Sequence, residues 1–168
     1  MKKFACDRTL GRLAKWLRII GYDTIYWSTT DDAKLLETCH AENRILLTRN
    51  ANLLKNAAKQ NVKGDVIFYF IPENSVWNQL KNIVNAFELT RKNNLNLCSE
   101  CNTEVLKVEK SDVEGHVPEY VFETQDNFTR CPKCGKYYWQ GSHVTRMTGR
   151  LDEILIRMKD ENNSQLSL

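Results

Sequence analysis

Four cysteines, arranged as two Cys-x-x-Cys pairs, are the residues of this chain whose type and spacing most clearly predict chemistry. They are Cys98 with Cys101 and Cys131 with Cys134. Each pair places two sulfurs on one side of a tight turn, and two such turns can complete a tetrahedral thiolate site for zinc. The 29 residues that separate Cys101 from Cys131 exceed the usual spacing, but strands within them can bring the turns together. Disulfides are the alternative, and they need an oxidising compartment. We therefore predict a structural zinc site.

Oxygen-bearing side chains form a second candidate site. Asp7, Asp31, Asp32 and Asn50 each follow a predicted strand or precede a predicted helix. In an open parallel sheet, ligands bind beyond the carboxyl ends of the strands, where these residues are expected to meet. Carboxylate and amide oxygens suit Mg²⁺ or Mn²⁺, which bind phosphate oxygens and activate water.

A purely structural interpretation of the same oxygens remains open. Asp31, Asp32 and Asn50 are suitable helix N-caps. Asp7 follows a buried strand, where a carboxylate loses hydration at a cost unless a cationic group compensates. Arg8 or Arg12 could supply that charge as a structural ion pair.

Basic residues extend along one face of the first predicted helix. Arg8, Arg12 and Lys15 share that face with Arg18 at its border, and the opposite face is apolar. Such a stripe is usually a solvated surface, but here it begins beside Asp7, where a polyanion would approach a metal. Residues 1–95 carry 15 Lys and Arg against 9 Asp and Glu, a net +6, whereas residues 96–168 carry a net −3. The charge therefore favours phosphate binding by the first part of the chain.

Strands and helices alternate over the first 90 residues, which predicts a parallel sheet with helices on both sides. The predicted strands are Lys3–Cys6, Thr24–Trp27, Arg44–Thr48 and Val66–Phe70. The predicted helices are Thr9–Ile20, which ends at Gly21, a helix from Asp31 or Asp32 to about Ala41, Leu53–Lys59, and one that Ser75 caps.

A small β-rich module is predicted to follow a polar linker at 91–96. Its strands are expected near Glu104–Glu109, Glu119–Glu123 and Lys136–Trp139, and a closing helix near Leu151–Met158. The predicted organisation is an α/β domain at 1–92, a zinc ribbon at 97–147, a closing helix at 148–160 and a flexible tail at 161–168.

Other residues of interest have structural explanations. His143 could approach the zinc, but four thiolates already close the site, so we expect it to pack. Tyr137, Tyr138 and Trp139 could stack on bases, although packing against the module is the commoner role. Cys6 and Cys39 belong to no motif and are expected in the core.

No apolar run approaches the roughly 20 residues that a membrane-spanning helix needs. The N-terminal residues lack the apolar segment of a secretory signal. We therefore predict a cytoplasmic protein that does not enter a membrane.

Three segments together resemble the Mut-seven C-terminal RNase domain, a PIN-like nuclease fold with an appended zinc ribbon. The first is 4–23, in which Asp7, Gly11, Trp16, Arg18 and Gly21 stand in the family's opening pattern. The second runs from Asp31-Asp32 through Arg44-Ile-Leu-Leu-Thr48-Arg49. The third combines the two cysteine pairs with Tyr138-Trp139-Gln-Gly-Ser-His143 and Met147. The resemblance covers about residues 4–151.

This resemblance implies an enzyme that hydrolyses RNA phosphodiester bonds with Mg²⁺ or Mn²⁺. Asp7 matches the family's first acid and Asp32 the second, with Asp31 as its neighbour. The third acid should be the Asp of a Leu-Leu-Thr-Arg-Asp segment, and here it is Asn50. The RNA, expected to be single-stranded, would be positioned by Arg8, Arg12, Lys15, Arg18 and Arg49.

Two other functions remain open. The chain could be a catalytically weak or inactive RNA-binding module, which the substitution at Asn50 favours. It could also be a protein-interaction adaptor in which the acidic zinc ribbon is the docking surface.

Overall fold

A four-stranded parallel sheet forms the centre of the first part of the molecule. The computed structural model describes residues 2–59, 66–90, 97–141, 149 and 151–154. The strands are β1 (Lys3–Cys6), β2 (Thr24–Tyr26), β3 (Arg44–Thr48) and β4 (Phe68–Phe70), in the order β2-β1-β3-β4. All three strand pairs are parallel. The predicted parallel sheet is thus confirmed, and its order brings the ends of β2, β1 and β3 to one edge.

Four helices connect and cover these strands. They are α1 (Gly11–Ile19), α2 (Asp32–Ala41), α3 (Ala51–Lys59) and α4 (Val76–Phe87). Helices α1 and α4 contribute to one buried cluster with Phe4 and Cys6, while α2 and α3 contribute to another with Ala5. Successive side chains of a strand point to opposite faces, so β1 supplies both layers of the core.

The central strand β3 is buried along its whole length. This burial agrees with the apolar run in its sequence and with helices on both faces of the sheet. Helix α1 ends as predicted: Gly21 has a φ of 90°, and its N–H donates to the carbonyl of Arg18. Both predicted core cysteines, Cys6 and Cys39, are buried.

A second, three-stranded antiparallel sheet lies in the cysteine module, the name used below for residues 97–141. Its strands are β5 (Leu106–Val108), β6 (Phe128–Arg130) and β7 (Tyr137–Trp139), in that order. A 3-10 turn at Lys110–Val113 and helix α5 (Glu119–Thr124) lie between β5 and β6. Val113, Val121 and Phe128 form a small buried core.

The prediction of a strand at Glu119–Glu123 is wrong, because this segment is helix α5. The Pro118 carbonyl accepts from the N–H groups of Val121 and Phe122, which starts the helix, and Glu119 in its first turn is favourable to the helix dipole. One turn of helix buries Val121 and leaves Tyr120 exposed. The missed third strand, β6, has only three residues and no pattern by which to recognise it.

Residues 151–154 are helical, and Leu151 is buried in the cluster that α1 and α4 share. The rest of the predicted closing helix, the linker at 91–96, His143, Met147 and the predicted tail lie outside the described residues. No helix among the described residues is both long and apolar enough to span a membrane.

Candidate functional site

The two Cys-x-x-Cys pairs form matching turns. In the first, the N–H of Asn102 donates to the Cys98 carbonyl at 2.9 Å, and in the second the N–H of Gly135 donates to the Cys131 carbonyl at 2.9 Å. Asn102 and Gly135 both have positive φ, at 61° and 74°. Asn and Gly are the residues that adopt this conformation most easily, so each turn is followed by a residue suited to reverse the chain.

The four sulfurs converge on one point. All four Sγ atoms lie within 4.8 Å of one another, and those of Cys98 and Cys134 are 3.7 Å apart. Zinc–sulfur bonds of about 2.3 Å in a tetrahedron require sulfurs about 3.8 Å apart, so the donor set fits zinc. All six cysteines of the chain are free thiols, and none forms a disulfide. These four cysteines are therefore positioned to bind a metal ion, and their donor chemistry is consistent with zinc.

Among the four ligands, Cys98 is the one whose thiol pKa is lowered. Burial raises the pKa of its thiol, but hydrogen bonds from the Tyr138 hydroxyl and from backbone N–H groups outweigh burial and lower that pKa to about 6. The Tyr138 oxygen is 3.0 Å from the Cys98 Sγ, and the Cys101 N–H donates to the same sulfur at 3.3 Å. A thiolate is the form that binds metal.

The aromatic residues of β7 pack within the module, as expected. Tyr137 stacks on His116 with ring centroids 5.3 Å apart, and the Arg130 guanidinium lies 5.5 Å from the centre of the Tyr137 ring. Trp139 packs against the module's buried core. Their packing explains these aromatics without a bound base.

Arg18 joins the first cysteine turn to the parallel sheet. Its side chain is buried, and Nη1 donates to the carbonyls of Ser99 and Glu100 at 2.8 Å each. Its Nε donates to the carbonyl of Thr24 in β2, also at 2.8 Å. Arg18 was predicted to border an exposed RNA-binding stripe, but the structure places its guanidinium between the two parts of the molecule.

Asn102 strengthens the same junction. Its side-chain oxygen accepts from the N–H of Thr24 at 2.9 Å, and its amide nitrogen donates to Asp23 at 2.6 Å. Asp23 also accepts two hydrogen bonds from the Arg44 guanidinium, at 2.7 and 3.1 Å. The first cysteine turn is therefore attached to the sheet through a connected set of polar side chains.

Asp7 lies at the opposite end of β1, and 5 % of its surface is exposed. Its Oδ1 accepts from the Thr9 N–H at 2.8 Å and from the Thr9 hydroxyl at 2.5 Å, and its Oδ2 accepts from the Thr48 hydroxyl. Neither Arg8 nor Arg12 pairs with it among the described contacts, so the predicted alternative of an ion pair is not supported there. Asp7 is thus a buried carboxylate surrounded by neutral donors.

Thr48 connects Asp7 to the segment after β3. Its oxygen also accepts from the N–H of Asn50 at 2.9 Å. The side-chain oxygen of Asn50 in turn accepts from the N–H of Asn52 at 3.1 Å, at the start of α3. The structure therefore brings Asp7 and Asn50 close to the same hydroxyl, while Asn50 also serves as a helix cap.

Asp31 and Asp32 have different roles at the start of α2. Asp31 is the N-cap, and its carboxylate accepts from the Lys34 N–H at 3.0 Å. Asp32 is half-buried in the first turn, and its carboxylate has no hydrogen-bond partner among the described residues. Its side chain is therefore the more available of the two for a ligand.

Within the described ranges, the four cysteines are the one group of three or more His, Cys, Asp or Glu residues whose ligand atoms converge. The predicted oxygen site therefore contains no cluster of three acids in that part of the chain. An Mg²⁺ ion commonly uses one or two carboxylates and retains several waters, so a site with fewer acids is chemically possible.

A groove of about 600 Å³ opens beside Thr9. Its lining includes all five cations predicted to position RNA, together with one residue of the cysteine module. The lining residues are Arg8, Thr9, Leu10, Gly11, Arg12, Lys15, Arg18, Tyr26, Arg49, Asn74, Val76, Gln79 and Glu100.

The cations of this groove differ in how firmly they are held. Arg8 and Arg12 are exposed. Lys15 forms an ion pair with Glu100 at 2.7 Å, and hydrogen bonds and charge from Lys15 keep the pKa of Glu100 below its usual value. Arg49 donates to the Asn74 side chain, while its buried Nε has no acceptor among the described residues. The groove is a predominantly cationic surface with one competing acid.

Sequence reasoning missed several residues that organise this site. Thr9 and Thr48 orient the Asp7 carboxylate, and the position of Thr48 at the end of a buried strand was the available signal. Asn102 follows a Cys-x-x-Cys turn, where a residue with positive φ is expected. The docking role of Arg18 had no local signal, because its partners are about 80 residues away in sequence.

Comparison with known proteins adds a family assignment. A family model described as the Mut7-C RNAse domain matches residues 2–151. No curated protein and no solved structure matches the chain. The matched range includes the parallel sheet, the residues around Asp7 and all four clustered cysteines. The chain therefore belongs to the Mut7-C RNAse domain family.

Proposed function

We propose that this protein is a divalent-metal-dependent ribonuclease that hydrolyses phosphodiester bonds of single-stranded RNA in the basic groove beside Asp7. The family supports a nuclease with RNA as its substrate. The observation that carries the proposal is the buried Asp7 carboxylate, which faces neutral donors at the edge of the sheet where ligands bind. A buried charge without a cationic partner is costly, and a bound cation would remove that cost.

The hydrogen bonds around Asp7 leave part of its acceptor capacity unused. A carboxylate offers about four lone-pair sites. Thr9 uses two of them on Oδ1 and Thr48 uses one on Oδ2. One lone-pair site on Oδ2 therefore remains unused. In the proposal, Asp7 and Asp32 hold Mg²⁺ or Mn²⁺, and the Asn50 oxygen or water completes the site.

The remaining residues would position RNA. A divalent cation supplies activation of water and stabilises negative charge on the departing oxygen. Arg8 and Arg12 are exposed and contact phosphates in the proposal. The unpartnered Nε of Arg49 supports an anion nearby, because a buried donor without an acceptor costs roughly 1–3 kcal/mol. Arg18 is left out of this set, since its Nε and Nη1 already donate at the junction.

A matched pair of neighbouring acids tests the metal site. We expect Asp32→Asn to lower Mn²⁺-dependent cleavage of a labelled single-stranded RNA by at least about a hundredfold, since even residues behind metal ligands typically contribute 10- to 100-fold. Asp31→Asn should cleave normally, because Asn is an equally good N-cap. Equal activity of the two variants would contradict the assignment of Asp32.

Asp7→Asn is the second test. The asparagine oxygen can still accept from Thr9, and the Thr48 hydroxyl can accept from its amide, so the fold should be retained. Cleavage should fall below detection. Equal cleavage by this variant and the unaltered protein would identify a contaminating nuclease and refute the proposal.

An RNA-binding protein without cleavage is the second candidate function, and Asn50 is the observation that favours it. Asn supplies an oxygen but no negative charge, which weakens attraction for a cation. Under the ribonuclease proposal, Asn50→Asp should lower the Mn²⁺ concentration needed for half-maximal cleavage. RNA binding that is independent of metal, with no cleavage at any Mn²⁺ concentration, would select the second function.

A further inference from the structure

Tyr26 is an aromatic side chain exposed in the basic groove. It is the last residue of β2, 40 % of its surface is exposed, and it lines the groove together with Arg8, Arg12 and Arg49. Most large apolar side chains in this part of the molecule are buried in one of the two clusters. Ile67 and Phe70 are exposed as well, but of these three side chains it is Tyr26 that lines the groove among the arginines.

The ring is held in a fixed orientation by Gly11. A Cβ built on Gly11 would lie 2.9 Å from Cζ of Tyr26, 3.1 Å from Cε2 and 3.2 Å from the hydroxyl oxygen. Distances this similar place the glycine above the face of the ring, because an approach at the ring edge would bring it much closer to Cε2 and the oxygen. One face of the ring thus packs on the backbone at the start of α1.

A hydrogen bond fixes the far end of the side chain. The Tyr26 hydroxyl donates to the carbonyl of Arg8 at 3.2 Å. A ring that is already ordered loses little conformational entropy when it binds a ligand. Gly11 lies over one face of the ring and the hydroxyl is engaged with Arg8, while 40 % of the residue's surface stays exposed.

The surrounding cations indicate which ligand suits this ring. Arg8 and Arg12 are exposed and can contact phosphates, while an aromatic face stacks on any nucleobase. Tyr137 and Tyr138, the aromatics first considered for stacking, are engaged within the cysteine module. We propose that Tyr26 is a stacking platform for one unpaired base of RNA, with the flanking phosphates held by the neighbouring arginines.

This inference rests on the proposed RNA substrate. It adds a residue that would recognise an unpaired base, whereas the arginines of the groove would recognise the charge of the backbone. A duplex conceals its bases within the helical stack, whereas a single strand can place one base on the ring. Tyr26 would therefore be a source of single-strand preference in a groove whose other contacts are electrostatic.

Binding of two matched ligands by anisotropy tests the inference, without Mn²⁺ so that RNA is not cleaved. The ligands are a labelled 12-nucleotide oligouridine and an abasic strand of the same length and charge. We expect Tyr26→Leu to weaken oligouridine binding about ten- to a hundredfold, with abasic binding and the salt dependence unchanged. Tyr26→Phe keeps the ring and should bind within about threefold of the unaltered protein.

The control is Arg12→Met, which should weaken the binding of both ligands equally and reduce the salt dependence of that binding. If Tyr26→Leu lost affinity equally for both ligands, the ring would instead shape the groove, and the stacking proposal would be wrong. No loss in Tyr26→Leu would also overturn it, and RNA cleavage by the unaltered protein would still support the proposed function. Absence of any RNA binding by the unaltered protein at low salt would refute both.

A second measurement needs no substitution. An oligonucleotide with 4-thiouridine at each position, irradiated on the unaltered protein, should crosslink to the peptide that contains Tyr26. Crosslinks confined to other peptides would overturn the inference even if Tyr26→Leu failed to fold.

Discussion

Replacing Arg18 by methionine should loosen the attachment of the cysteine module to the sheet. Methionine retains an apolar stem in this buried position but has no donors for the three carbonyls that Arg18 satisfies. The Thr24 carbonyl lies in a buried contact, so its loss of a partner costs about 1–3 kcal/mol. The Ser99 and Glu100 carbonyls are partly buried and can recover water, so each contributes about 0.5–1 kcal/mol.

These contributions give a loss of about 3 kcal/mol in the free energy of unfolding, or roughly a hundredfold in the ratio of folded to unfolded protein. Arg18→Lys keeps the charge and one or two donors, so it should lose less. Both values can be measured by urea unfolding of the zinc-loaded protein with excess zinc present. Zinc transfer to a chromogenic chelator should also be faster in Arg18→Met, because the first cysteine turn loses its support.

Arg12→Met is the matched control, since Arg12 lies on the same helix and is exposed. It should change the free energy of unfolding by less than about 0.5 kcal/mol. An Arg18→Met variant as stable as this control, with unchanged zinc transfer, would refute the role assigned to Arg18. RNA affinity should show the opposite order. Under conditions where both variants are folded, Arg12→Met should weaken RNA binding more than Arg18→Met does.

Three further predictions follow from other contacts. Metal analysis of the purified protein should find one zinc per chain, and Cys101→Ser should abolish it; a full zinc content in that variant would contradict the four-sulfur site. Burial alone would raise the pKa of Asp23, but hydrogen bonds from Arg44 and Asn102 outweigh it and keep the pKa below its usual value. Stability from Asp23 is therefore fully present above about pH 4 and is lost as pH falls through the lower folded-state pKa. Asp23→Asn should flatten the acid side of a melting-temperature profile, and an unchanged profile would contradict this assignment. Burial raises the pKa of Cys39 to about 12, so iodoacetamide at pH 8 should leave Cys39 unlabelled in the native protein, as judged by mass spectrometry.

The sequence predicted the parallel sheet well because its signals are local. Each strand is a short apolar run, and each is separated from the next by an amphipathic segment with a recognisable start or stop, such as Asp31 or Gly21. The cysteine module was harder to predict, since its strands have three residues each and its core is small. In such a module the metal ligands and a few tertiary contacts determine structure, so Glu119–Thr124 can be helical despite its aromatic and β-branched residues.

In the candidate site, too, local features were predicted and features set by tertiary contacts were missed. Cysteine spacing correctly predicted which four sulfurs converge, because turn geometry and coordination number are encoded in the motif. The helical wheel placed Arg18 near other cations, but it could not show that residues 99 and 100 would lie over that part of α1. The assignment of Asp7 and Asp32 as metal ligands stays a prediction.

The contacts at Thr24 have a consequence for aggregation. Strand β2 lies at the edge of the parallel sheet, where outward-facing backbone groups can pair with a strand of another molecule. Asn102 and Arg18 occupy the N–H and the carbonyl of Thr24, so the first cysteine turn covers part of this edge. If the turn depends on zinc for its shape, metal loss would expose this strand edge of the parallel sheet. The zinc-binding module would then also protect the sheet from self-association.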